Sequence, residues 1–318
     1  MSRVVVSVLE VRQESEDIRS FRLGSDGLEC LPEFTAGSHI DVEVPGGYLR
    51  QYSLLGDPLD RDSYWIAVKN EPASRGGSAA MNRDVKVGDR IRIGLPRNNF
   101  PLADTAEKHI LLAGGIGITP MLSMMHALRR AGKAFHLYYF ARSPAHAGFE
   151  SLLGEGFKAH TTPHHGRRPD EVGHILEEVI ASAADGTHVY ICGPAPFIEK
   201  ARSLAAAKLP ANAIHTEFFV PGESAQAGDD DPFDVELARS GRIIEVGRDE
   251  TLIEALRSQG VEIETSCEQG VCGTCVTDVL EGEPDHRDFF LMDDEKAANT
   301  KMCVCVSRSK TKRLVLDL

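Results

Sequence analysis

Short stretches of alternating apolar and polar residues dominate the first third of the chain. Residues 4–11, 18–23, 39–44, 64–69 and 90–93 each carry the two-residue period of a strand that buries one face. Turn residues separate them, as in Pro45-Gly46-Gly47. Many short strands with such turns predict an antiparallel barrel over residues 1–104. The pattern then changes. Residues 109–113 form a short apolar strand, followed at once by glycines and a helical period. Thr119 is placed to cap that helix, Pro120 to open it and Gly132 to end it. Further strands at 135–140 and 188–192 predict a βαβ domain with a parallel sheet over residues 105–221.

Residues 222–232, GESAQAGDDDP, are small, polar and acidic, which predicts an exposed linker. A third domain follows over residues 233–318. There Thr251-Leu252-Ile253-Glu254 spells a capping box, and Gly260 stops the helix after about two turns.

Charge narrows the function. The net charge of −13 argues against nucleic-acid binding, which needs a basic face. Acidic residues outnumber basic ones in the third block, as solubilising surface or as a steering face for a basic protein partner. No membrane span is expected: the apolar stretch 110–125 is short and broken by Gly114, Gly115, Gly117 and Pro120. The N-terminal apolar run lacks the features of a signal peptide, so a cytoplasmic protein is expected. In that compartment seven cysteines point to metal binding or reactivity rather than to disulfides.

Cys267, Cys272 and Cys275 have the C-x4-C-x2-C spacing of plant-type [2Fe–2S] sites, with a distant fourth cysteine. Gly270 and Gly273 let such a loop close and turn N–H groups towards sulfur. A four-cysteine zinc site is the alternative, but zinc favours paired knuckles. Cys303 and Cys305 both qualify as fourth ligand; on a strand they share a face, and periodicity does not separate them.

The run from Gly114 through Gly115 and Gly117 to Thr119 joins a strand to a helix, where N–H groups and the helix terminus favour a pyrophosphate. A tight strand–helix turn is the plainer reading. Cys192-Gly193-Pro194 ends another strand of the same sheet, where ligands of open α/β sheets bind. Arg50, Tyr52 and Ser53 could hold a phosphate, flank a flat ring and hydrogen-bond to it; Gly76, Gly77 and Ser78 could wrap the same phosphate.

In order, RQYSL, VKNEPASRGGS, LPRNNF, AGGIGITPML, YICGP, HTEFF, CEQGVCGTC, EGEPDHRDFFL and CVSR resemble the phthalate dioxygenase reductase family over nearly the whole chain. The resemblance implies an FMN-binding barrel, an NADH-binding α/β domain and a C-terminal α+β ferredoxin domain of the β-grasp type. It implies FMN contacts at Arg50, Tyr52, Ser53, Gly76, Gly77 and Ser78, with Val68 and Lys69 on the strand beside the ring. It implies nicotinamide-side residues at Gly115, Thr119 and Cys192, an aromatic cover at Phe219, and Cys305 as the fourth cluster ligand. Pro96-Arg97-Asn98-Asn99-Phe100 looks like the FMN branch rather than the FAD branch, while Ser74 departs from the glycine expected before Arg75. No acidic residue ends the strand at Phe140, and Arg142 hints at a 2′-phosphate, whereas the resemblance implies NADH.

The expected function is therefore a reductase that takes a hydride from NADH onto FMN and releases single electrons through [2Fe–2S] to a Rieske-type oxygenase. The rivals are an FAD-dependent reductase of another oxygenase and an electron-carrier or redox-sensing module without hydride chemistry.

Overall fold

A computed structural model describes residues 3–27, 30–71, 76–219 and 231–318. The alternating stretches become β1 (Arg3–Gln13), β2 (Ile18–Ser25), β3 (His39–Val44), β4 (Tyr48–Ser53), β5 (Ser63–Lys69) and β6 (Arg90–Gly94). They pair antiparallel in the order β4-β3-β6-β1-β2-β5. The two end strands also approach each other, so the sheet is a nearly closed barrel. Phe21, Leu23, Ile40, Val42 and Ile66 point inward and are fully buried. Helix α1 (Gly77–Asp84) adds Ala80 and Met81 to that core.

The parallel sheet contains β7 (Lys108–Gly114), β8 (Ala134–Ala141), β9 (Thr161–His165), β10 (Thr187–Gly193) and β11 (Ile214–Phe218). Its order is β11-β10-β7-β8-β9, with β10, β7, β8 and β9 mutually parallel. Helices α2 (Ile118–Arg130), α3 (Glu150–Gly156), α4 (Pro169–Ala181) and α5 (Ala195–Ala206) connect the strands. The middle strands β7 and β10 are apolar runs buried almost throughout, as covered parallel strands are. The strand order reverses between β7 and β10. The crevice beyond their carboxyl ends is therefore the place where such a sheet binds ligands.

The expected cap at Thr119 is not what forms. A 3-10 turn at Gly115–Gly117 runs directly into α2, with Gly117 in the capping position. No extended residue is left whose side chain could accept from the first turn. Thr119 lies inside that turn, and its hydroxyl donates to the Ile116 carbonyl at 3.0 Å. Pro120 still falls among the first helical residues, whose N–H groups have no intrahelical acceptor.

The last part holds β12 (Phe233–Leu237), β13 (Arg242–Val246), α6 (Leu252–Ser258), β14 (Val276–Glu281), β15 (Pro284–Asp285), α7 (Asp293–Ala298), β16 (Lys301–Cys303), β17 (Arg308–Ser309) and β18 (Arg313–Leu316). Its five-stranded sheet has the order β13-β12-β18-β14-β16, and β12 runs parallel to β18. The capping box forms as its residues dictate: Glu254 N–H donates to Thr251 Oγ1 at 3.2 Å, and Thr251 N–H to Glu254 Oε2 at 2.9 Å. Buried Arg308 donates to the carbonyls of Glu250, Gly247 and Asp231 at 2.7, 2.9 and 3.2 Å.

The chain parts into two compact units, Met1–Glu217 and Phe218–Leu318; the first holds the barrel and nearly all of the parallel sheet. Residues 222–230 of the expected linker, and Ser74 and Arg75 of the phosphate-loop motif, lie outside the described residues. No described helix is long and apolar enough to cross a membrane.

Candidate functional site

The barrel presents an anion cradle. Arg50 on β4 lies 5.2 Å from the Tyr48 ring centre, and its guanidinium donates to the Leu49 carbonyl at 2.8 Å. The N-terminus of α1 rests on this arginine. A Cβ on Gly77 would sit 2.6 Å from Arg50 Nε, and one on Gly76, at φ 94°, would sit 2.8 Å from the Tyr48 hydroxyl. Only glycines allow that approach, which sets a helix N-terminus beside a guanidinium. Ser78 follows in the first turn and accepts the Glu71 N–H at 3.3 Å. Tyr52 is largely buried, which raises its phenol above the ordinary value. Val68 is buried, while Lys69 pairs with Glu71 at 2.8 Å.

The glycine loop and the end of β10 are packed into each other. A Cβ on Gly117 would lie 2.3 Å from the Cys192 carbonyl oxygen and 2.7 Å from Gly193 N. One on Gly114 would meet Pro194 Cδ at 2.9 Å, and one on Gly193 would meet Gly114 Cα at 3.0 Å. Gly115 is different: its φ is 55° and nothing lies near a Cβ there, so conformation rather than space selects glycine.

Ser53, Cys192 and Glu217 share one neighbourhood. Cys192 is fully buried, and its thiol is pushed well up by burial and by the Glu217 carboxyl. Burial also raises the Glu217 carboxyl to about 8, opposed by the adjacent Ser53 hydroxyl. Part of Glu217 is accessible, yet its Oε2 and Ser53 Oγ are both sealed from solvent, and beyond the contact between Ser53 and Glu217 neither atom has a hydrogen-bond partner. Gln51 Nε2, also buried on β4, lacks one too. Unpaired polar atoms at this density call for a ligand that supplies donors and acceptors. A flavin ring edge has both, so the residues present fit that group. Phe219, directly after β11, is half-buried. Glu217 was not singled out from the sequence, because a strand carboxylate carries no local sign of its burial.

A cavity of about 430 Å³ extends from Lys69 past Gly115 to Arg142, His164 and Phe197. It opens beyond the carboxyl ends of β7 and β8, next to the glycine loop.

In the second unit, residues 266–275 form the cysteine loop. Gly270 and Gly273, both at φ 71°, admit Val306 and Phe290: a Cβ would approach Val306 Cγ2 to 2.6 Å and the Phe290 ring to 2.2 Å. The sulfurs fall into two groups, Cys267 with Cys272 and Cys275 with Cys303 and Cys305. Thiol donors from Cys303 and Cys305 hold Cys275 below its ordinary value, towards the thiolate a metal needs. Backbone N–H groups of Gln269 and Thr274 donate to Cys267 and Cys272 sulfurs at 3.3 and 3.5 Å. A structural zinc ion draws four side chains to one point, usually from paired knuckles. Two separate sulfur groups fit the two irons of [2Fe–2S] instead.

The expected shared strand face of Cys303 and Cys305 is not present. β16 stops at Cys303, and Val306 and Ser307 N–H groups turn back onto the Cys303 carbonyl at 3.3 and 3.0 Å. Both sulfurs lie in the buried core and both adjoin Cys275, and Cys305 has in addition the Gly270 N–H and Cys267 of the loop among its neighbours.

Comparison with known proteins agrees with this architecture. Residues 235–310 match the 2Fe-2S iron-sulfur cluster binding domain. Residues 90–214 match the N-terminal domain of dimethylamine monooxygenase subunit DmmA-like proteins. A vanillate O-demethylase oxidoreductase of Pseudomonas sp. is 42% identical over 320 residues, covering 100% of both chains. The phthalate dioxygenase reductase of Burkholderia cepacia is 40% identical, over 96% of this chain and 94% of its own. The solved phthalate dioxygenase reductase, described as a modular structure for electron transfer from pyridine nucleotides to [2Fe–2S], superposes with a TM-score of 0.76 at 39% identity, covering 100% of this chain and 98% of its own. An intact type IV self-sufficient cytochrome P450 monooxygenase matches at a TM-score of 0.87 and 34% identity over 99% of this chain, which spans 41% of that protein. Likeness of this extent, over barrel, parallel sheet and iron–sulfur domain alike, shows that the chain belongs to the phthalate dioxygenase reductase family of oxygenase-linked oxidoreductases.

Proposed function

We propose that residues 1–104 hold FMN, residues 105–221 bind NADH, and residues 233–318, beyond a linker at 222–232, carry a [2Fe–2S] cluster that supplies single electrons to a Rieske-type oxygenase. Bound FMN would accept a hydride and part with its two electrons singly, which nicotinamide does not do readily. Arg50, Gly76, Gly77 and Ser78 would grip the single phosphate. Tyr52 and Val68 would flank the ring, and Phe219 would cover its other side. Gly114, Gly115 and Gly117 would bring N–H groups to the pyrophosphate, with Thr119 and Gly193 shaping the nicotinamide end. Cys267, Cys272, Cys275 and Cys305 would ligate the cluster.

The observation that carries this reading is the meeting of Ser53, Cys192 and Glu217, with Ser53 Oγ and Glu217 Oε2 both buried and without a hydrogen-bond partner beyond their contact with each other. They come from the barrel, from β10 and from β11, at the end of the sheet where nucleotides bind. Ser53 would position the ring edge. Cys192 would present an uncharged sulfur to the nicotinamide. Glu217, protonated at neutral pH, could donate a hydrogen bond there.

Chromatography of the acid-released cofactor, with iron and sulfide analysis and anaerobic reduction by NADH, tests the whole. FMN, two irons and two sulfides per chain are expected. An FAD peak would refute the single-phosphate grip. A coloured protein that NADH does not reduce would indicate a carrier or sensor instead.

A further inference from the structure

Residues 284–292 lie against the cysteine loop and are tied to both parts of the site. Pro284 and Asp285 pair antiparallel with Ser309 and Arg308, and the Arg287 N–H donates to Ser307 Oγ at 3.3 Å, just beyond Cys305 in the chain. The Phe289 N–H donates to the Gly270 carbonyl at 2.8 Å, and the Phe290 ring fills the space that a side chain at Gly273 would need. A Cβ on Gly270 would also lie 3.0 Å from Asp288 Cα, so segment and loop meet there main chain to main chain.

Asp288 shapes this segment from inside. It is buried, and its Oδ2 accepts the N–H groups of Phe290 and Leu291 at 3.1 and 2.7 Å. Those bonds close the turn that brings Phe289 and Phe290 to Gly270 and Gly273. Lys296 on α7 donates to the Asp288 carbonyl at 2.6 Å, and its ammonium stands 3.9 Å from Oδ2. The other carboxylate oxygen, Oδ1, is sealed from solvent and has no hydrogen-bond partner among the described residues. His286 Nδ1 is 3.7 Å from it, too far for a bond, and both nitrogens of that buried ring lack partners as well. Buried polar atoms left open in this way are costly, and their presence calls for an account. The neighbouring sulfurs supply one. The Cys303 thiol is raised by its bond to Cys275, by burial and by the Asp288 carboxylate, whose field therefore reaches the cysteines. A half-paired anion in low dielectric opposes the arrival of an electron at a metal cluster beside it.

We propose that Asp288 is a positioning residue of the iron–sulfur site: it fixes residues 289–291 against the cysteine loop, and its negative charge lowers the reduction potential of the bound cluster. The inference rests on the [2Fe–2S] reading given above and deepens it. A cluster that is harder to reduce passes its electron on more readily, which suits a component that feeds another protein. Shape and charge are separable at this position. In Asp288→Asn the amide oxygen can accept both N–H groups, and the amide nitrogen takes the place of the open oxygen. Asp288→Ala loses both roles.

The test reads the cluster rather than turnover. Full-length, cofactor-loaded protein is titrated to successive potentials and followed through the EPR signal of the reduced cluster, with iron and sulfide counted in the same samples. Asp288→Asn should keep its iron and sulfide and be reduced at a higher potential. At a fixed poise its ratio of reduced to oxidised cluster should rise on the order of tenfold, which is about 59 mV for a one-electron couple. Lys296→Gln, which removes the opposing charge, should move the potential the other way. Asp288→Ala should lose most of its iron, which Asp288→Asn retains. An Asp288→Asn protein with a full cluster and an unchanged potential would overturn the inference, as would an Asp288→Ala protein with its full complement of iron. Should Asp288→Asn lose its cluster, Lys296→Gln decides, and an unmoved potential there would overturn the inference equally. Absence of iron and sulfide from the parent protein would instead refute the cluster reading.

Discussion

Replacing Glu217 by Gln should make the first unit more stable at neutral pH and a poorer hydride acceptor. Burial raises this carboxyl from an ordinary 4.5 to about 8. Between those values the folded chain holds a proton there that the unfolded chain has lost. Stability must then fall as pH rises, by about 1.4 kcal/mol per pH unit for one proton. Glutamine keeps the shape and cannot ionise, so the variant escapes this loss. From about pH 5.5 to about pH 7.5 the stability gap between variant and parent should widen in the variant's favour by at most about 2.7 kcal/mol. Buried histidines also titrate across that range, but they are common to both proteins and cancel in the difference. Trp65 is the only tryptophan and lies on β5, so its fluorescence reports the unit that contains Glu217. Urea unfolding of the two proteins, followed at Trp65 at both pH values, gives the quantity directly. Flavin reduction by NADH should slow by roughly ten- to a hundredfold if this group donates at the nicotinamide end. A stability gap that does not change with pH would show that Glu217 ionises normally in the folded protein, and the argument from burial would fall.

Other outcomes follow from the same geometry. Cys305→Ser should abolish the cluster and Cys303→Ser should retain it, because Cys305 adjoins Cys267 and the Gly270 N–H of the cysteine loop as well as Cys275; iron and sulfide analysis of both variants checks this, and a cluster-free Cys303 variant would reverse the assignment. Gly117→Ala should cost more stability than Gly115→Ala, since its Cβ would strike the Cys192 carbonyl at 2.3 Å, whereas Gly115 has space but a φ of 55°. Rough values are 3 kcal/mol or more from overpacking against about 1–2 kcal/mol from backbone strain, and thermal melts with the reverse order would refute the reasoning. Acidification below the ordinary histidine range should cost the parent stability relative to a His39→Gln variant, because buried His39 is held down to about 4 and takes up its proton only on unfolding, while Glu217 is common to both proteins and cancels; a Trp65-monitored stability gap between the two that stays flat between about pH 6.5 and pH 4 would contradict it. Truncation near Asp229 should leave NADH-dependent ferricyanide reduction intact while ending electron delivery to an oxygenase, and an oxygenase driven at full rate by the truncated chain would refute the serial order.

Much of the architecture was legible because it rests on local signals. The barrel strands showed in period-two alternation, the parallel strands in short apolar runs, and α6 in its capping box. What escaped depended on contacts between distant residues. α1 was read only as a phosphate loop, since its sequence Gly77-Ser78-Ala79-Ala80 has no clear amphipathic period. The start of α2 shifted because a 3-10 turn, invisible to residue type, takes the place of a capping residue. The cysteine pair near the end of the chain looked like one strand face, yet the strand stops between them. Cys192 was noticed as a strand-end residue, but its partner Glu217 lies far along the chain, and only folding brings the two together.

The parallel pairing of β12 with β18 has a consequence for how the second unit is made. The strand that opens this unit hydrogen-bonds to the one that closes it, and β18 sits in the middle of the sheet between β12 and β14. Arg308 adds a second tie between the late segment and the early one. Its sheet therefore has a vacant centre until residues 313–316 have left the ribosome. Synthesis delivers these residues long after β12, so long-range closure must come last, as in other folds of high contact order. Cysteines 267, 272 and 275 emerge into solvent well before the frame that buries them exists, and in that interval they are open to oxidation or to stray metal. Loss of even the last six residues would remove the central strand rather than trim an edge.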